Sequence, residues 1–80
     1  LKENEIIVIN AILSEHKGDY NSALREYEKL ENPGIYILSR MLNLLEKNGD
    51  LESGSRIEKK ISDWKGTPNH NFALSILNKN

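Results

Sequence analysis

Cysteine is absent from these 80 residues. Disulfides, thiolate nucleophiles and cysteine metal sites go with it, which suits a reducing compartment. A domain this small must then rest on a modest apolar core. An excess of charge is missing too. Eleven Lys and Arg against twelve Asp and Glu leave a net −1, so there is no basic footprint for nucleic acid or an anionic membrane. No apolar run approaches the ~20 residues of a membrane span, and residues 1–5 lack signal-peptide character. The two histidines, His16 and His70, lie far apart with no carboxylate at ligand spacing. His16 is placed to complement a helix dipole. There is no glycine-rich phosphate loop and no nucleophile elbow. No catalytic residue, cofactor or metal is therefore expected, and a binding protein is expected rather than an enzyme.

What the chain does have is punctuation. Lys17-Gly18-Asp19 and Asn48-Gly49-Asp50 both read as a helix-ending glycine followed by an aspartate cap. Asn32-Pro33 and Thr67-Pro68 both read as a cap followed by proline at the first helical position. The segments between carry helical spacing. Glu3–His16 holds Ile9, Ile12 and Leu13 after Ile6–Ile9, a run that taken alone also fits a buried strand. A second helix from Tyr20 to about Glu31 lines up Tyr20, Ala23, Leu24, Tyr27 and Leu30. A third, Tyr36–Lys47, is apolar over more than half its circumference, which implies burial on more than one side. A fourth, Leu51 to about Trp64, has the stripe Ile57, Ile61, Trp64. A fifth starts at Pro68 with Phe72, Ala73, Ile76 and Leu77 on one face.

Two glycine turns just over thirty residues apart, each inside a helix pair, fall slightly short of the period of a tetratricopeptide-type repeat, a shortfall placed in the short Glu31–Gly34 connection. The fold expected is all-α: a tetratricopeptide-like α-solenoid of antiparallel helix pairs, about five helices in one domain spanning 1–80. The pairs are about 3–31 and 33–64, with a terminal helix at about 68–79. Ala23 and Gly54 occupy equivalent positions, where small side chains permit close helix approach. Gly54, between Ser53 and Ser55, reads equally as a weak, late helix start. Tyr20 and Tyr27 read as wedges between pairs. Two pairs fall short of the roughly three repeats that bury a continuous core. A partner, another copy or an upstream pair is therefore expected to supply the remaining surface, with a missing upstream pair favoured.

First helices of such pairs line a concave side. That places Glu5, Val8, Ile12 and Glu15 of the first helix, and Tyr36, Ser39, Arg40 and Asn43 of the third, on a protein-binding groove. Its apolar contacts and polar margin suit an amphipathic helix. Val8 and Ile12 read equally as core.

Gly18-Asp19-Tyr20 with Ser22-Ala23-Leu24, then Lys29-Leu30, Pro33, a leucine-rich third helix, Leu51-Glu52-Ser53 and Arg56-Ile57 are together similar to the YscG family of type III secretion chaperones. The likeness runs from Leu1 to about Leu77, on short motifs shared with other tetratricopeptide proteins. It implies a hetero-oligomer with a small helical co-chaperone (YscE type). The pair would hold the needle subunit (YscF type) as a monomer in the bacterial cytoplasm before export, its C-terminal helix lying in the groove. The family carries helical sequence upstream of the point where this chain begins. The alternative is a generic tetratricopeptide-repeat interaction module that binds an unrelated helical peptide.

Overall fold

A computed structural model describes residues 2–77. Among them are five α-helices and no strand: α1 Glu3–His16, α2 Tyr20–Tyr27, α3 Gly34–Asn48, α4 Leu51–Asp63 and α5 Pro68–Leu77. The run Ile6–Ile9 is helical. Its β-branched residues are overridden by the apolar positions that follow at helical spacing, with Ile7 and Ala11 buried. The all-α expectation is met. Residues 78–79 of the fifth predicted helix lie outside the described residues.

The first turn is built as its residues dictate. Gly18 takes φ 79°, its N–H donates to the Glu15 carbonyl (3.0 Å), and the Asp19 N–H reaches back to the Ser14 carbonyl (2.9 Å). This is the paired hydrogen bonding of a helix closed by a left-handed residue. Asp19 then accepts from the Ser22 N–H (3.2 Å) and the Ser22 hydroxyl (2.8 Å). Those bonds, the hydroxyl first, hold the Asp19 carboxyl below its ordinary range. Asp50 caps α4 in the same way, through the Ser53 N–H at 2.7 Å. Thr67 caps α5, its hydroxyl oxygen accepting from the His70 N–H at 3.3 Å.

Three local expectations are corrected. α2 stops at Tyr27, a turn before Glu31. Beyond it the chain tightens through Lys29 N–H to Glu26 O and Leu30 N–H to Tyr27 O, both 3.1 Å. The Glu31 carbonyl is taken by the Trp64 indole N–H (2.8 Å). Asn32 is not a helix cap. Pro33 holds that position without a side-chain bond, Gly34 follows at φ 79°, and the Asn32 carboxamide oxygen instead accepts from Asn69. Gly49 does not use the left-handed region either, lying extended at φ −71°, ψ 133°.

The core joins Leu24, Tyr27, Leu38, Met41 and Ile57, all wholly buried. α1 lies along α2, with Ala11 and Ala23 both fully buried. α2 packs on α3, and α5 packs on α3 and α4. α4 is also tied to the end of α2, where the Arg56 guanidinium donates to both carboxylate oxygens of Glu28 (2.7 and 3.2 Å). The expected fifth-helix face is only partly inward. Ala73 is buried and Phe72 packs on the core, but Ile76 and Leu77 are exposed and Asn69 is buried instead.

Candidate protein-binding surface

The eight residues expected to form a groove do not share one depression. On α3, positions 36, 39, 40 and 43 fall on one helical face. The structure gathers all four into a shallow hollow of about 310 Å³, closed by Leu42, Glu46 and, from α5, Ile76. On α1, Glu5 and Val8 border a different hollow of about 440 Å³ with Asn4 and Ile9. Ile12 is half-buried and borders neither. Val8 is half-buried against the core, so one side of it serves packing.

Glu15 joins the α3 set through an ion pair. Its Oε2 accepts from Arg40 Nη2 (2.8 Å), from Arg40 Nε (3.2 Å) and from the Tyr27 hydroxyl (2.5 Å). Arg40 Nε also donates to the Tyr27 oxygen at 3.0 Å. Three helices thus meet at one carboxylate. The arginine is held protonated more firmly than usual by Tyr27 and then Glu15. Burial, followed by the bond to Glu15, pushes the Tyr27 hydroxyl up to about 12.

The same arginine has a free edge. Arg40 Nη1 donates to the Tyr36 hydroxyl (3.3 Å), and the guanidinium carbon lies 5.8 Å from the Tyr36 ring centre. Tyr36 is 70 % exposed. A large aromatic is therefore presented to solvent while its polar end is held by a fixed cation. Tyrosine and arginine are both enriched among the residues that dominate protein interfaces.

Two apolar surfaces lie outside the eight expected groove residues. The first is a stripe on α1, where Ile6, Ile9 and Leu13 are 44–51 % exposed. Their spacing of three and four puts them on one helical face, and the apolar width of α1 was its signal. The second is a cleft between α3 and α4 lined by Leu42, Leu45, Ile57 and Ile61, with Gly54 in its wall. Gly54 was the signal for that one.

Neither histidine heads a chemical constellation. His16 sits in the last turn of α1, and His70 Nδ1 lies 2.8 Å from the Ile61 carbonyl. Among the described residues no three His, Asp or Glu side chains converge on a metal-sized space, and no helix is long and apolar enough to cross a membrane. What the fold and surface define is an all-α protein with several open, solvent-facing hollows. No family model, no curated protein and no solved structure matches the chain.

Proposed function

We propose that this chain is a helix-binding chaperone of the YscG type. With a small YscE-type helical partner it would keep a secretion needle subunit monomeric in the bacterial cytoplasm. The mechanism is sequestration. An apolar face that drives polymerisation is covered until export, without nucleotide or covalent change. The ordered motifs from Gly18-Asp19-Tyr20 to Arg56-Ile57 support the reading. One structural observation carries it: the exposed Tyr36 ring, its hydroxyl held by an arginine that Glu15 and Tyr27 hold in turn. A side chain fixed before binding loses less conformational freedom when the partner arrives. Ser39, Asn43 and Glu46 around it supply a polar rim.

Co-expression with a needle subunit and the small partner is the test. A soluble complex with monomeric needle protein is expected, and a needle protein that stays polymeric overturns the reading. Within it, Tyr36→Asp should weaken needle binding at least tenfold in calorimetric titration while leaving the melting temperature within about 2 °C, as exposed positions generally do. Normal binding by that variant removes Tyr36 from the site.

A further inference from the structure

The cleft between α3 and α4 has a volume of about 560 Å³. Its wall is apolar, with Leu42 and Leu45 on one side, Ile57 and Ile61 on the other, and Leu77 of α5 at one end. Gly54 lies in its wall, where an added Cβ would meet no atom within 4 Å. At the lip, Leu51 stands 92 % exposed. A neighbouring hollow of about 270 Å³ shares Glu58, Ile61 and Leu77 with it and is bordered also by Ser62, His70 and Leu74. The α4 residues lining the two run from Leu51 to Ser62, a length of roughly 17 Å at ~1.5 Å per residue. That matches about three turns of a second helix.

Charge says what kind of helix fits. Among the described residues, the ionisable side chains lining the cleft itself are Asp50 and Glu58, with no lysine or arginine. Asp50 gives one oxygen to the Ser53 N–H and remains fully exposed. The nearby Arg56 is turned to Glu28, Ser53 and Glu52. An apolar trough with an acidic rim complements an apolar stripe with basic borders.

We propose that the α3–α4 cleft is a docking site for an amphipathic helix of a partner protein, one whose apolar stripe is flanked by lysine or arginine. It is separate from the Tyr36 hollow, with which its lining shares only Leu42. The partner's bulky side chains, spaced three and four apart, would fill the space beside Gly54 while its cations meet Asp50 and Glu58.

The probe is a fluorescein-labelled 14-residue helical peptide of leucine, alanine and lysine, with leucines at spacing three and four. Its control carries glutamate for every lysine. Both are titrated into the full chain by fluorescence anisotropy. The lysine peptide should bind at least tenfold more tightly than the glutamate one, and Glu58→Lys should abolish that preference. Gly54→Leu, whose side chain enters the cleft, should weaken the lysine peptide at least tenfold without lowering the melting temperature. Tyr36→Asp should leave this peptide unaffected, which separates the outcome from that of the needle experiment. Equal binding of the two peptides overturns the proposal, as does undiminished binding to a folded Gly54→Leu. If that variant melts early, Glu58→Lys decides alone, and an unchanged preference overturns the proposal. A wild-type chain that dimerises in sedimentation, with Gly54→Leu monomeric, assigns the cleft to a second copy and also overturns it.

Discussion

The turns at Gly18-Asp19 and Gly49-Asp50 share two residues and a capping aspartate, yet they deliver their helices to different places. At the first, Gly18 in the left-handed region folds the chain straight back, and α2 lies along α1 over Ala11 and Ala23. At the second, Gly49 is extended, and α3 and α4 leave a cleft between them. Glycine is required in both, for unlike reasons. Gly18 supplies a dihedral angle with open space around it. Gly49 supplies space, since a Cβ there would run into the Leu45 carbonyl oxygen and Cδ1. The same dipeptide therefore marks where a helix ends and says little about where the chain goes next. The α1–α2 pair is closed on itself and locked by Glu15, Tyr27 and Arg40; the α3–α4 pair is open along an apolar cleft.

The sharpest way to break that comparison is to enlarge the equivalent small residue in each half. Ala23 is wholly buried, so Ala23→Leu forces α1 and α2 apart and should cost about 3 kcal/mol in urea unfolding. Gly54→Leu faces open space and should cost nothing measurable. Similar losses at the two positions would mean that the halves are packed alike.

The polar lock gives the closed half a dependence on alkaline pH through Tyr27. Tyr27 sits with its hydroxyl between Glu15 and Arg40, and burial, with Glu15 next, pushes it up to about 12. The phenol thus binds its proton more tightly folded than unfolded, where it titrates near ~10. Its contribution is complete below about pH 10 and is lost as pH rises toward 12 and beyond. Comparing alkaline melts of the wild type with Tyr27→Phe isolates this group from the lysines that titrate alongside it. The wild type should lose about 1–2 kcal/mol more than the variant between pH 9 and 12. Parallel curves would show that the lock does not hold the hydroxyl.

Much of this was legible in local sequence. Glu3 to His16, the left-handed Gly18 and the caps Asp19, Asp50 and Thr67 each depend on residues within four positions, and each is found where expected. The misread features are those whose partner lies far along the chain. Leu30 and Glu31 carry helical spacing, but Trp64 takes the Glu31 carbonyl and α2 ends early. Asn32 has the composition of a cap, but its oxygen accepts from Asn69. The surface divides in the same way. Tyr36, Ser39, Arg40 and Asn43 share a hollow because one helix carries all four. Glu15 reaches them by an ion pair across 25 positions, and Glu5 and Val8 border a different one. The α3–α4 cleft depends on the path of an extended glycine, which composition does not encode.

Gly54 offers the mildest and most discriminating test. Two accounts of it were open from sequence: close approach of a neighbouring helix, or a weak helix start. Close approach predicts that a methyl group collides and destabilises, as expected for a small residue at a helix crossing. The structure places no atom within 4 Å of that methyl. What remains is the backbone term, since alanine loses less conformational freedom than glycine on entering a helix. That difference approaches 1 kcal/mol in a helix interior and less in a first turn. Gly54→Ala should therefore raise stability by about 0.5–1 kcal/mol in urea, with an unchanged denaturant slope. A methyl group also narrows the cleft far less than leucine does, so the lysine peptide should bind Gly54→Ala to within about threefold of wild type. A destabilised Gly54→Ala would place α3 against α4 at this point and close the cleft on which the contrast between the two halves depends.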